Sequence, residues 1–386
     1  MRVLYVNHTS LISGAEHSLL TLLAVMDRER IAGLACPPGP LAERAERLGL
    51  EVHAIAGTGG SFRLHPVQTP IAIAGLMRTG LQLRGIARRT GAEILHANSV
   101  RAGLGSAIAK GAGGLPLVVH VRDCLPDGAA GRMVKGVLLR HADRLVAISR
   151  HVQARFAGAE DSPTLKRKLR VLENPVDVSR FAPSARANDD ERAPTLAIIG
   201  QISSWKGHDT VIRALPAVRS RFPEARLQIV GEVKFAEPST RLDNRAYMTE
   251  LKRLIEQLGL TDAVQFLGER EDVPEIMAAS AAVLVPSIEE PFGRTVAEAM
   301  AVAAPVIATS VGGPAELIED GVTGTLAPPG SPEAWAQAIL GVIEDRPRAR
   351  RMAERASAQA RVRFDARRHA AALTDIYAEL LTGAAR

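Results

Sequence analysis

Residues 281–300 read AAVLVPSIEEPFGRTVAEAM. A continuous apolar run ends at Pro286-Ser287, a Pro-Phe-Gly turn follows at 291–293, and TVAEAM then has the composition of a helix. An uninterrupted apolar run that stops at a turn and hands over to a helix reads as a strand buried on both faces, as in a parallel sheet. Two carboxylates bracket the turn, Glu290 before it and Glu298 eight positions later, early in the helix. Glutamate near a helix start favours the positive end of the helix dipole and needs no ligand. The other reading has both carboxylates addressing one ligand at that N-terminus, where free N–H groups point back at the loop.

The same strand-then-helix unit recurs along the 386 residues. VLYVN (3–7), EILHA (93–97), PLVVHV (116–121) and DRLVAI (143–148) fall in the first half, and TLAIIG (195–200), ARLQIVG (225–231), AVQFLG (263–268) and PVIATS (305–310) in the second. Helix-like segments such as AEHSLLTLLAVM (15–26) and HDTVIRALPAVRSRF (208–222) lie between them. Alternating β and α units predict an α/β, doubly wound architecture. The polar, aperiodic stretch SARANDDERAP (184–194) reads as a linker. The expectation is an N-terminal Rossmann-like domain over 1–183 and a second over 195–365, with an amphipathic helix in 366–386 packing on one of the two.

Composition is globular, with 46% apolar and 23% charged residues. Cys36 and Cys124 have no CxxC or metal-like spacing, which fits a reducing compartment and argues against a disulfide framework or a cysteine zinc site. MRVLYVNHTS enters a strand directly, with no apolar segment of the kind signal peptides carry, so a cytoplasmic protein is expected. No stretch approaches the roughly 18 apolar residues of a transmembrane helix. The net charge of +6 is uneven: residues 1–187 carry 25 Lys+Arg against 14 Asp+Glu, and the remainder 23 against 28. The basic surplus of the first half favours phosphate-bearing or anionic-membrane partners.

Doubly wound sheets bind ligands at the C-terminal ends of their strands. Ser13-Gly14-Ala15-Glu16 follows the first strand and opens a helix, and Gly14 allows close backbone approach to an anion. Gly200 to Gly207, GQISSWKG, follows TLAIIG and carries Lys206 where an ammonium meets phosphate, although the P-loop spacing is absent. PVIATSVGGPAEL (305–317) places a Gly312-Gly313 turn ahead of another helix. Carboxylates at 290 and 298 suit sugar hydroxyls better than phosphates, so the expected ligand is both phosphorylated and polyhydroxylated. His96 and His120 stand in strands and are read either as functional groups or as satisfied core histidines. Asp189-Asp190 and the KRKLR run (166–170) read as solvated charge.

With these elements together, the chain resembles the retaining glycosyltransferases of family four, the glycosyl transferases group 1, which have the GT-B fold. Glu290 and Glu298 in EPFGRTVAE match that family's E-x7-E motif. The likeness extends through SGAEHSLL, HANS (96–99), VAIS (146–149), ENPVDVSRF (173–181), the WKG element and VGGPAELIEDGVTG (311–324). The resemblance implies two facing Rossmann-like domains with a cleft between them. It gives Glu290 to the hydroxyls of the donor sugar, Glu298 to the ribose, and the backbone around Phe292 and Gly293, with Arg294 and Thr295, to the sugar and diphosphate. Lys206 would neutralise the departing diphosphate and Gly14 would let the N-terminal backbone approach it. No cofactor and no metal are implied, only a nucleotide-sugar co-substrate, a UDP- or GDP-sugar. Two positions depart from the family pattern. Gln201 stands where an arginine usually partners the lysine. Arg122 stands where a histidine usually follows the strand of PLVVHVRD, leaving His120 two residues earlier as the second candidate there.

The leading reading is therefore a retaining glycosyltransferase acting on a glycan or lipid-linked acceptor of the cell envelope. LMRTGLQLRGIARR (76–89) is a basic amphipathic segment that reads either as an anionic-membrane contact or as a helix packed on the core. The competing readings are an epimerase-like, phosphorylase-like or inactive nucleotide-sugar binder, and a basic nucleic-acid-binding protein suggested by a pI of about 9.7. The last leaves the paired glutamates unexplained and lacks RNA-binding aromatics or zinc-finger spacing. Neither half has GxGxxG after its first strand, which disfavours a dinucleotide oxidoreductase.

Overall fold

The computed structural model describes residues 1–57, 68–111, 114–158, 162–183, 193–234 and 243–382. The chain forms two compact units, Met1–Pro175 together with Ala366–Arg386, and Val176–Asp365. The division thus falls at Pro175 rather than within the expected linker. Residues 184–192 of that linker, with Asp189 and Asp190, lie outside the described residues. Val176 joins the second unit because its N–H donates to Phe364 O at 2.9 Å and it pairs in parallel with Asp365.

The first unit is built on seven strands, β1 (Val3–Val6), β2 (Ile31–Cys36), β3 (Val52–Ala54), β4 (Ile94–Ala97), β5 (Leu117–Val121), β6 (Arg144–Ala147) and β7 (Leu169–Val171). Their order is β3-β2-β1-β4-β5-β6-β7 and every pairing is parallel. The second unit has β8 (Thr195–Ile199), β9 (Arg226–Val230), β10 (Val264–Gly268), β11 (Ala282–Val285), β12 (Val306–Thr309) and β13 (Thr325–Ala327), in the order β10-β9-β8-β11-β12-β13, again all parallel. All residues of β1, β2, β4, β5, β6, β11 and β12 are buried, as helices on both faces of a parallel sheet require. Each sheet reverses its winding once, between β1 and β4 and between β8 and β11, and these are the points where the loops leaving adjacent strands diverge.

The helix Ala366–Leu381 belongs to the first unit. Its Ala370, Leu373 and Tyr377 are buried against Val3, Tyr5, Ile94, Val118 and Val146. Tyr5, His96 and Val118 are register neighbours on this face, and His120 follows Val118 two residues on. His96 Nε2 is 2.8 Å from His120 Nδ1, and the Tyr377 hydroxyl meets His96 Nδ1. The His369 and His120 rings stack with centroids 6.2 Å apart, and His369 Nδ1 lies 2.8 Å from Glu173 O. His96 is thus satisfied at both ring nitrogens, whereas His120 Nε2 and His369 Nε2 are buried with no hydrogen-bond partner among the described residues.

Burial, with the nearby Arg122 guanidinium, holds His96 and His120 well below the usual imidazole range. Burial likewise lowers His369 to about 4 and His208, in the second unit, to about 3. All four are neutral when folded at pH 7. Unfolded histidines titrate near 6.5, so below that pH the unfolded chain takes up protons that the folded chain does not, and stability falls. Thermal unfolding followed by circular dichroism is expected to show a midpoint that drops progressively from pH 7 to pH 5. A midpoint flat across that window contradicts the neutral assignment.

Candidate active site

Two loops leave the second sheet at its reversal, one after β8 and one after β11. The β8 loop runs from Gly200 to a single turn at Ser204–Lys206, and ends at Gly207 in the left-handed conformation with φ 69°. A Cβ on Gly207 would lie 2.1 Å from Pro286 O, so only glycine lets this loop press against the end of β11. Ile288 N–H donates to Trp205 O at 2.8 Å and fastens the β11 loop to it.

This contact brings Lys206 to Glu290. Lys206 Nζ is 2.7 Å from Glu290 Oε2, and the Ser287 hydroxyl donates to the same oxygen at 2.9 Å. The ammonium also sits 4.1 Å from the centre of the Trp205 ring, a cation–π contact. Glu290 is only 7% exposed, and these two donors satisfy one oxygen of its carboxylate. Its backbone is fixed from the other side: Glu290 O accepts from Gly313 N–H at 2.8 Å and pairs with Gly312.

The Pro-Phe-Gly turn ends at Gly293, φ 93°, which starts the helix Arg294–Ala301. Phe292 is buried, with its ring edge-on to Phe364, so its side chain anchors the turn while its backbone lines it. Thr295 Oγ1 donates to Ile199 O at 3.2 Å and ties the helix to the end of β8. Glu298, also 7% exposed, accepts from Arg294 Nε at 2.6 Å, an i,i+4 ion pair across the first turn. Glu290 and Glu298 thus share one design. One oxygen of each is held by a cation, and Glu290 Oε1 and Glu298 Oε2 have no protein partner among the described residues. Gln201 is half-buried at the start of the β8 loop, beside Gly200 and followed by Ile202, whose N–H bonds Glu232 O. Ser287 and Trp205 received no individual role from the sequence. Their signal is position alone, since each lies in a loop that leaves a strand at the reversal.

In the first unit the corresponding reversal lies between β1 and β4. Gly14 opens the helix Gly14–Val25, and a Cβ there would meet nothing within 4 Å. Neither packing nor φ therefore requires glycine at 14. Arg122 follows β5, is 5% exposed, and donates to Asn98 O at 2.8 Å and to the Asn98 and Asn174 side-chain oxygens. His120 points instead into the Tyr5–His96–Tyr377 cluster and is fully buried. The structure thus separates the two β5 candidates, Arg122 at the strand's end and His120 within the core.

Two family models match the chain, "Glycosyl transferase 4-like domain" over residues 13–174 and "Glycosyl transferases group 1" over residues 181–359. The D-inositol 3-phosphate glycosyltransferase of Saccharomonospora viridis is 30% identical over 359 residues, which covers 89% of this chain and 79% of that protein. The enzyme of the same name from Salinispora arenicola is 29% identical over 281 residues, and there the match spans 66% of this chain and only 61% of the relative's length. Among solved structures, Anabaena Alr3699/HepE in complex with UDP-glucose superposes with a TM-score of 0.84 at 26% identity, over 98% of this chain and all of that one. The chain belongs to the group 1 glycosyl transferases, with the two parallel-sheet α/β domains of the GT-B class.

A methyl group at residue 312 would lie 2.2 Å from Glu290 O, on a backbone with φ 87°. Gly312→Ala is expected to cost about 2 kcal/mol or more, from left-handed strain and the clash, and to lower the thermal midpoint by several degrees. Gly341→Ala, a helical site where an added Cβ meets nothing within 4 Å, serves as the control and leaves the midpoint unchanged or raised.

Proposed function

We propose that the chain transfers a sugar from a nucleotide-diphosphate-sugar donor to an acceptor, with retention at the anomeric carbon and without a divalent cation. The observation that carries this reading is the pair of nearly buried carboxylates, each with one oxygen fixed by a cation and the other left to accept a hydroxyl. Glu290 would bind the donor sugar and Glu298 the ribose. As the bond from the anomeric carbon to the phosphate oxygen breaks, charge grows on the departing diphosphate. Fixed cations and helix N–H groups stabilise such charge without reorganising. An ammonium has three N–H donors, and one of them on Glu290 leaves others for phosphate oxygens. By the family resemblance, Arg122, at the carboxyl edge of the first unit's sheet, is the candidate for the positive charge that Gln201 does not provide. HepE in complex with UDP and with UDP-glucose makes UDP the first nucleotide to test.

The acceptor is proposed to bind the first unit and to be a cell-envelope glycan or a lipid-linked sugar, with the protein working in the cytoplasm at the inner face of the membrane. Among the described residues no helix is long and apolar enough to cross a membrane. Supporting a peripheral contact, the helix Gln68–Thr90 buries Leu83, Ile86 and Ala87 but leaves Ile71 66%, Met77 49% and Leu81 63% exposed, beside the exposed Arg78, Arg88 and Arg89. Apolar side chains interleaved with arginines suit an anionic lipid surface.

Isothermal titration with UDP and GDP, and nucleotide release from the matching sugar donors, test the donor reading. Glu298→Ala is expected to weaken nucleotide binding about 10- to 100-fold, as loss of a charged hydrogen-bond acceptor does. Glu290→Ala should leave nucleotide affinity within about threefold while cutting turnover by a similar 10- to 100-fold. Negligible effects from both return the glutamates to helix decoration. Binding without turnover supports an inactive relative, and steeply salt-dependent DNA binding with no response to nucleotide supports the nucleic-acid reading. In flotation with vesicles of anionic and of neutral lipid, the protein should rise with the anionic ones only, and Leu81→Asp should abolish this. Equal recovery with both removes the membrane contact.

A further inference from the structure

Three residues of the first unit stand one position beyond the C-terminal ends of their strands: Asn7 after β1, Asn98 after β4 and Arg122 after β5. Their side chains form a single row across the sheet edge at its reversal. Arg122 Nε and Nη2 donate to Asn98 Oδ1 at 3.1 and 2.7 Å, Asn98 Nδ2 donates to Asn7 Oδ1 at 2.9 Å, and Asn7 Nδ2 donates to Glu16 Oε1 at 3.1 Å. The other carboxylate oxygen of Glu16 accepts from Ser13 N–H at 3.0 Å and from Ser13 Oγ at 2.6 Å. This closes the N-terminus of the helix that Gly14 begins. Asn7 and Asn98 are 0% exposed and Glu16 is 2% exposed, so water does not substitute for a lost bond.

The direction of this row is forced from both ends. A guanidinium only donates and a carboxylate only accepts, so each asparagine between them must turn its oxygen toward Arg122 and its nitrogen toward Glu16. If either amide turns over, two donors or two acceptors face each other in a dry environment. We infer that Glu16, Asn7 and Asn98 are positioning residues that lock the Arg122 guanidinium and the Gly14 turn into one rigid unit. For its bearing on catalysis this rests on the reading above, in which Arg122 and Gly14 face the donor. The coupling itself does not.

Glu16→Gln keeps the shape of the side chain but replaces one acceptor oxygen with a donor, so the bonds to Asn7 Nδ2 and to Ser13 N–H cannot both be kept. Asn7 Nδ2 retains Thr9 O at 2.8 Å and Arg122 still directs Asn98, so the disturbance reaches Arg122 as a displacement of the row rather than as a turned amide. Two readouts separate the inference from that reading. The first needs no ligand: the ¹⁵N–¹H resonance of Arg122 Nε, identified by its loss in Arg122→Lys, should shift in Glu16→Gln although three side-chain bonds separate the two residues. An unmoved resonance overturns the coupling. The second uses UDP-glucose and measures UDP release. Glu16→Gln and Arg122→Lys should each lower turnover about tenfold or more, since small misplacements of a positioned group have effects of that size, and the double variant should lose no more than the worse single one. Losses that multiply overturn the shared role. If the unsubstituted protein releases no UDP, the donor reading fails and the resonance shift alone decides the coupling. Asn98→Asp guards against a misfolded Glu16→Gln. It retains oxygens for Arg122 but cannot donate to Asn7, and it should lower turnover about tenfold while its thermal midpoint stays within a few degrees. Full turnover in Asn98→Asp overturns the inference.

Discussion

A parallel sheet wound in both directions from a central strand pair leaves one place where successive loops part, and in the second unit the Lys206–Glu290 ion pair spans that place. The lysine comes from the β8 loop and the glutamate from the β11 loop, and the contact is 2.7 Å with little solvent on either partner. Removing one member of the pair leaves the other charge with little solvent to take its partner's place. Around this pair the backbone has little freedom. Gly207 yields to Pro286, Gly312 to Glu290, and Gly313 to Phe292, each glycine admitting a backbone oxygen where a Cβ would sit about 2 Å away. The geometry of the charged groups is therefore set by main-chain packing rather than by the charges.

The first unit solves a different problem. One face of its sheet carries Tyr5, His96 and His120 among aliphatic residues, and the helix Ala366–Leu381 covers them with Tyr377 and His369. His96 bonds both His120 and Tyr377, and burial holds the imidazoles neutral. At the carboxyl edge of the same sheet, Arg122 meets amide oxygens and is linked through two asparagines to Glu16. Neutral groups occupy the interior of the sheet and charged ones its edge, which is the distribution that desolvation favours.

Much of the candidate site was legible before the fold was known, because its parts are local. Glu290, Phe292, Gly293 and Glu298 lie within one strand–turn–helix segment, and Lys206 lies in another of the same form. The contributions of Ser287 and Trp205 were not, since a serine after a strand and a tryptophan before a lysine have no distinctive spacing. His120 shows the opposite difficulty. Its position near the end of β5 suits either a site or a core, and only the neighbours from β4 and the C-terminal helix place it inside. The row Arg122–Asn98–Asn7–Glu16 joins residues more than a hundred positions apart, which no local pattern connects.

Apolar runs buried on both faces, alternating with helical segments, determined two doubly wound α/β halves from sequence alone, and the same runs located the loops that carry the chemistry. β2, with Gly33 in its middle, and the three-residue β3, β7 and β13 were too short or too interrupted to stand out. Tertiary structure alone decided that Val176 begins the second unit, that the helix Ala366–Leu381 completes the first, and which oxygen of each glutamate is held by a cation. Strand and helix patterns arise from neighbours two to four residues apart. Domain membership, burial of a titratable ring and the direction of an amide depend on groups that only folding brings together.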